Sequence, residues 1–476
     1  MKRFAIGAIV LVMFMAFLVA CGGGGTKSDN ASGTPTVTDN ASTEEDNSAS
    51  SGTDNSASGT NTAKPADSDM PSKDISGNVT VWAFTDKAFQ EVAAAFMKEY
   101  PNIKVQTVIM SFDDVHNKLQ TTLAAGTGAP DVAEVEQSQF PRYSTGNVLT
   151  DLSQFGANKY KDDTSEYNWT RWSSLDGKQL LGMPWDITPG VTFYRADIMD
   201  EMGLPSDPEE LGDYIQDPDN FFNLAQTLAA NGKYTMEWRD SLIHYYGDMY
   251  GYFDKDLNYN RNGPEYVKYL DYAKKANQLK IAPHDGYLSD KGKQRVKKGE
   301  QVSFMAGSFA ARDLEANFPE LKGKWRATRL PLGLNLGLGG SSFVMPAQSK
   351  NKEAAWAFIL WATRSEEAWK IWTKSEYSIE PSWKSIQQLA WYKNHTNDYL
   401  GGQKDYELYD ELANQIPVKR ITRVDGQIWP LWVDGVLKAM DKNIDSQTAL
   451  NQIQDTVMKK FSKDIEQMKK EAGIGQ

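Results

Sequence analysis

Apolar and polar residues alternate from Asn78 to Phe84 (NVTVWAF), the period of a strand with one buried face. From Lys87 to Tyr100 the period lengthens: Phe89, Val92, Ala93 and Phe96 fall on one side of a helix, and Pro101 ends it. Ile103 to Met110 returns to strand. Asp113 to Ala125 is helical, with Val115, Leu119 and Leu123 on one face, and Gly126-Thr-Gly-Ala-Pro130 is a turn before a third strand at Asp131 to Val135. The β-α-β-α-β order predicts parallel pairing with right-handed crossovers. Ligands of such sheets sit beyond the carboxyl ends of the strands, here Trp82 to Asp86, Ser111 to Asp113 and Glu134 to Ser138. Further on, Leu180 to Tyr194 reads as strand, crossing and strand, and Pro264 to Lys280 as an amphipathic helix. Val302 to Met305, Ala327 to Leu330 and Ser341 to Pro346 read as strands. Lys352 to Trp372 is helical with a restart at Ser365. Asp445 to Lys470 is a long terminal helix whose stripe is Leu450, Ile453, Val457, Phe461, Ile465 and Met468.

The pattern before Gly77 is different. Lys2 and Arg3 precede an apolar run of 17 residues, Phe4 to Ala20, which reads as a secretory signal. It ends in Leu18-Val-Ala20-Cys21, which resembles a bacterial lipobox. The lone cysteine then becomes the lipidated mature N-terminus; the alternative is an uncleaved N-terminal anchor. Either way the bulk of the chain is expected outside the cytoplasm, held at the outer face of the cell membrane. Residues 21–76 are almost devoid of apolar side chains and cannot offset the entropy of ordering. Between Gly22 and Asp74 nine acids face three bases, a net −6. As a flexible tether of about 50 residues the segment reaches on the order of 40 Å.

Composition narrows the function classes. The chain has 476 residues, room for two or three domains. Lys+Arg number 51 against 63 Asp+Glu, for a net charge of −12, which disfavours nucleic acid as a partner. One cysteine excludes an intramolecular disulfide. The four histidines (His116, His244, His284, His395) have no metal-ligand spacing. There is no G-x-S-x-G elbow and no P-loop, and Gly337-Leu-Gly339-Gly340 is only a fragment of a dinucleotide fingerprint. Asp254-Lys-Asp256-Leu-Asn258-Tyr-Asn260 has the spacing of a calcium loop, with Glu265 twelfth, but Tyr259 holds the position of the turn glycine, so a polar hairpin is the expected reading. No cofactor and no metal is expected.

Five segments in order carry a family resemblance: NVTVWAF followed by YPNIKVQTV (Tyr100 to Val108); KLQTTLAAGTGAPDVAEVE (Lys118 to Glu136); DGKQLLGMPWDITPGVTFYRADIMDEMGLP (Asp176 to Pro205); KKGEQVSFMAGSFAARDL (Lys297 to Leu314) leading to TRLPLG; and GGSSFVMPAQSKNKEAAWAFILWAT (Gly339 to Thr363). The chain resembles the extracellular solute-binding proteins of bacterial ABC sugar importers, the group that includes maltose-binding protein. The resemblance implies an α/β fold of two lobes joined by hinge crossings, each lobe a mostly parallel sheet flanked by helices. By that analogy the first lobe is 77–187 plus 326–348 and the second is 188–325 plus 349–476. It also implies a monomer that captures a sugar in the interlobe cleft by hinge closure and delivers it unchanged to permease subunits.

A pyranose offers an apolar face to aromatic planes and a ring of hydroxyls to carboxylates, amides and Arg. The resemblance places contacts after the first and third strands, in the TMEW segment and in the AGSF segment. Candidates there are Trp82 and Phe84, Phe112 and Asp113, Glu136 and Gln137, Trp185 and Asp186 at the crossing, Glu237, Trp238 and Arg239, and Ser308, Phe309 and Arg312. Gly340 and Ser341 let the backbone approach a hydroxyl, and Trp383 lies where the family can add a stacking ring. Each has a plainer reading: Trp82 as strand core, Trp185 and Asp186 as hinge packing, Arg312 as a partner of Asp313 or Glu315. Trp356, Trp361, Trp369 and Trp372, at helical spacing, read as core. Two readings stand beside the sugar receptor: the same fold binding a non-sugar solute, and a glycan-active enzyme using two of Glu136, Asp186 and Glu237.

Overall fold

Eight strands build two sheets in the computed structural model, which describes residues 70–374 and 377–474. The signal segment, Cys21 and nearly all of the tether lie outside the described residues.

The first sheet contains β1 (Gly77–Ala83), β2 (Ile103–Ile109), β3 (Val132–Glu136), β4 (Gly182–Pro184) and β8 (Ser341–Val344), in the order β2-β1-β3-β8-β4. β1 runs parallel to β2 and β3, as the β-α-β-α-β pattern requires, whereas β8 is antiparallel to both β3 and β4. The helix Asp86–Glu99 buries Phe89, Val92 and Phe96 against this sheet. The helix Phe112–Ala125 starts on a Ser111 side-chain cap, carries acids in its first turn and ends at Gly126 in the left-handed region.

β5 (Gly190–Arg195) is the centre of the second sheet, paired antiparallel with β6 (Ser303–Gly307) and β7 (Trp325–Thr328). The second sheet is therefore antiparallel, not mostly parallel. Its larger core joins the helices Ser241–Tyr250, Pro264–Leu279, Asp425–Asp441 and Ser446–Glu471. The terminal helix is capped by Asp445, and all six stripe residues from Leu450 to Met468 are buried.

Two lobe boundaries differ from expectation. Trp325–Thr328 pairs with β5, so it belongs to the second sheet. The helices Lys352–Arg364 and Glu366–Trp372 belong to the first core. The former is buried on every side from Ala354 to Arg364, and a helix apolar all round needs neighbours all round. It finds them in the first lobe: the Trp361 indole donates to Glu99 at 2.7 Å, and the Trp369 and Trp372 indoles donate to the carbonyls of Thr363 and Ala362, each at 2.8 Å.

At the loop once comparable to a calcium site, Asp254 Oδ1 accepts the amides of Asp256 and Asn258, and Phe253 bridges Tyr259 antiparallel. This is a hairpin turn whose carboxylate is used by backbone. Among the described residues no group of three or more His, Cys, Asp or Glu is arranged to hold a metal, and no helix is long and apolar enough to cross a membrane.

Candidate functional site

The lobes are joined where three stretches of chain lie side by side. Trp185 to Pro189 leaves β4 for β5. Leu336 to Gly340 returns from the second sheet to β8. Glu380 to Ser382 follows the first core's helices. The backbone stitches them: the Leu338 amide donates to Thr188 O at 2.9 Å and Gly190 to Leu336 O at 2.8 Å. Ile187 donates to Glu380 O and Ser382 to Trp185 O, each at 3.2 Å. Such short paired segments are the places where a two-lobed molecule bends.

Arg171, 5% exposed, ties these crossings to the first lobe. Its Nη1 donates to Gln137 Oε1 and to Gly339 O, both at 3.0 Å. Its Nη2 donates to Asp186 O at 2.8 Å and its Nε to Asn168 Oδ1 at 2.8 Å. The Tyr167 hydroxyl adds a second donor to Gln137 Oε1 at 3.0 Å. Gly340 has φ +110°, and a Cβ there would stand 2.6 Å from the guanidinium, so both the conformation and the close approach call for glycine.

Carboxylates crowd the same place. Asp186 Oδ1 accepts the Ser341 amide. Burial pushes Asp186 up to about 6, against the Ser341 hydrogen bond and the Arg171 charge. Glu380 is buried with Ser308 Oγ donating to it at 3.0 Å, and burial holds its carboxyl well above the usual range. Glu134 is fully buried and accepts the amides of Phe84 and Thr85 and the Thr85 hydroxyl, at 2.9, 3.1 and 2.8 Å. It therefore shapes the loop after β1. Glu136, two residues further along β3 and so on the same face, is half-buried, accepts the Ser138 amide at 2.8 Å, and is raised by burial.

The wall beside Glu136 is aromatic. The half-buried rings of Phe84 and Phe112 meet edge to face at 5.1 Å between centroids. On the second lobe, the half-buried Phe309 ring covers Gly307, where an added Cβ would stand 2.6 Å from it, and reaches toward Gly339 of the crossing. The structure thus gathers Phe84, Phe112, Glu136, Gln137, Asp186, Ser308, Phe309, Gly340 and Ser341 around the crossings. Arg312 also spans the lobes: its Nη1 donates to Tyr377 O of the first core at 3.0 Å, and its Nη2 lies 3.5 Å from Asp313.

The other candidates are placed elsewhere. Trp185 is 1% exposed in the first core, stacked on Phe343 at 5.1 Å and edge-on to Phe89 and Trp372. Trp383 is 0% exposed under the Arg364 guanidinium. Both pack the core and offer no face to a solute. Trp82 is buried with the Lys118 ammonium 4.4 Å over its ring. Asp113 is exposed in the first turn of its helix. Glu237, Trp238 and Arg239 do not act as one unit. Glu237 is buried, accepts the Tyr287 amide at 2.5 Å and is pushed by burial up to about 8. Arg239 pairs with Asp441 at 2.7 Å, and Trp238 is half-buried between them in sequence. His116, Tyr167, Arg171 and Glu380 are the residues that sequence reasoning missed. The buried helical face carrying Val115 and Leu119 pointed to His116, and a cation flanked by Trp169 and Trp172 pointed to Arg171.

Residues 83–369 match the bacterial extracellular solute-binding protein family. An arabinooligosaccharide-binding protein of Bacillus subtilis is 29% identical over 361 residues, 71% of this chain and 81% of that protein. A lactose-binding protein of Rhizobium radiobacter is 26% identical over 372 residues, 72% of this chain and 83% of its own. Among solved structures, the sugar-binding protein MalE from Xanthomonas citri superposes with a TM-score of 0.67 at 20% identity, covering 82% of this chain and 98% of that one. The two lobes and their crossings thus have the periplasmic-binding-protein fold, and the chain belongs to the bacterial extracellular solute-binding proteins, a family of transporter binding components and not of enzymes.

Proposed function

We propose that this protein is the lipid-anchored substrate-binding component of an ABC importer, and that it captures a carbohydrate, specifically an oligosaccharide, between its lobes. The lobes close over the sugar at the crossings and present it unchanged to the permease. The observation that carries this reading is the meeting, at the crossings of a family member, of half-buried rings (Phe84, Phe112, Phe309) with the carboxylate and amide of Glu136 and Gln137. Rings match the apolar face of a pyranose or furanose, and the polar pair matches its hydroxyls. The arabinooligosaccharide- and lactose-binding relatives support the same solute class.

Calorimetric titration against arabino-, galacto- and gluco-oligosaccharides, their monosaccharides, and a control set of polyols and peptides tests it. The expected result is micromolar binding, about −8 kcal/mol, of one oligosaccharide series with no new reducing ends on incubation. Binding confined to the control set would replace the sugar with another solute. The anchor is tested separately. Cys21→Ser is expected to shift the protein from the membrane fraction to the soluble one, and unchanged membrane association would remove the lipid from the account.

A further inference from the structure

One imidazole joins three strand ends of the first lobe. His116 lies one turn into the helix Phe112–Ala125 and is 1% exposed. Its Nδ1 is 2.7 Å from Phe112 O, and its Nε2 is 3.2 Å from the Glu136 amide nitrogen. A carbonyl only accepts and an amide only donates, so the tautomer follows: Nδ1 carries the proton and Nε2 offers its lone pair. The ring centroid is 4.6 Å from that of Phe112 and 5.5 Å from that of Phe84. The His116 carbonyl in turn accepts the Tyr143 hydroxyl at 2.8 Å, which fixes the backbone from behind.

We propose that His116 is a positioning residue for solute binding: its neutral ring holds Phe112 and Glu136 on opposite nitrogens, with Phe84 packed against its face, and so sets the spacing between the aromatic pair and the carboxylate of the first lobe's wall. The inference rests on the sugar-binding reading. Only the Asn and Gln amides share this pairing of donor and acceptor in one plane, and they lack the aromatic ring that packs against Phe84 and Phe112. Burial favours the neutral ring and lowers His116 to about 4, with the Phe112 carbonyl opposing, Arg142 lowering and Asp113 raising. On β3 the titratable neighbour is Glu136, whose own amide meets Nε2 and whose carboxyl is raised by burial.

The test uses the full chain, with α-1,5-linked arabinotriose and lactose as probes. His116→Leu, which releases the Phe112 carbonyl and the Glu136 amide from their common spacer, is expected to bind the probe that the wild type binds about tenfold more weakly or worse, with a thermal midpoint within a few degrees of wild type. His116→Gln, which keeps a donor and an acceptor, is expected to recover part of the loss. ¹⁵N NMR of the imidazole is expected to show Nδ1 protonated and Nε2 bare, before and after sugar is added. Wild-type affinity in both variants, or an Nε2-protonated tautomer, would overturn the proposal while leaving the sugar reading intact. Failure of the wild type to bind either probe or any glycan would remove both. If the leucine variant does not fold, the glutamine affinity and the tautomer decide.

Discussion

Asp186 and Ser341 lock the first two crossings together at the edge of the first lobe. The Ser341 amide donates to the Asp186 carboxylate, while the Ser341 carbonyl accepts the Trp185 amide at 3.2 Å. With Arg171 bonded to Asp186 O and Gly339 O, this end of the crossings moves with the first lobe. Bending is thereby left to Ile187 to Gly190 and Leu336 to Leu338.

Removing that lock has a defined cost. Asp186→Ala leaves the Ser341 amide buried without its acceptor and is expected to destabilise the protein by about 1–3 kcal/mol. Asp186→Asn retains an acceptor and is expected to cost less. Urea unfolding of both variants checks the order, and equal loss in the two would assign the effect to charge instead of the hydrogen bond.

Core and cleft aromatics separate by experiment. Trp185→Ala empties the space between Phe343, Phe89 and Trp372 and is expected to cost about 3–5 kcal/mol of stability. Phe309→Ala removes a half-buried ring at the crossing and is expected to weaken sugar binding about tenfold with a far smaller shift in thermal midpoint. Thermal scans with calorimetry on the two variants read both effects. Loss of affinity without loss of stability in the Trp185 variant would return that indole to the cleft.

The local alternation of residues made most of the architecture legible. Strand β1, the Ser365 restart and the terminal stripe ending at Met468 lie within a residue or two of where periodicity put them. Periodicity says that Trp185 is buried or half-buried but not against what, because that depends on Phe89, Phe343 and Trp372 from distant parts of the chain. For the same reason residues 326–328 of β7 and the helix Lys352–Arg364 pack in the other lobe from the one expected: which sheet a short strand joins is a long-range choice. Within the site, residues at strand ends such as Glu136 and Gln137 were visible from topology. Glu380 acts through contacts with the crossings and leaves no local pattern, and the tryptophans beside Arg171 do not say which carbonyls it meets.

Buried carboxylates and buried histidines shift stability with pH in opposite directions. Burial raises Asp186, Asp405 and Asp425 to about 6 and Glu134, Glu237 and Asp410 to about 8. Between the ordinary carboxylate range and these values the native state binds more protons than the unfolded chain, so their contribution to stability falls as pH rises through that window. Burial lowers His116 to about 4 and also lowers His284 and His395. There the unfolded chain binds more protons, so their contribution falls as pH drops from the ordinary value of 6.5 toward 4. Six raised carboxylates outweigh three lowered histidines above about pH 5, so the thermal midpoint is expected to fall from about pH 5 toward pH 8.5. A midpoint that climbs steadily to pH 8.5 would show that these carboxylates are not held protonated by burial.

Solute capture between two lobes that bend at the crossings is tested most directly by small-angle X-ray scattering of the protein alone and saturated with the oligosaccharide that titrates. A smaller radius of gyration is predicted in the saturated sample, with no such change when a glycan that does not titrate is added instead. An identical scattering profile at full saturation would contradict it.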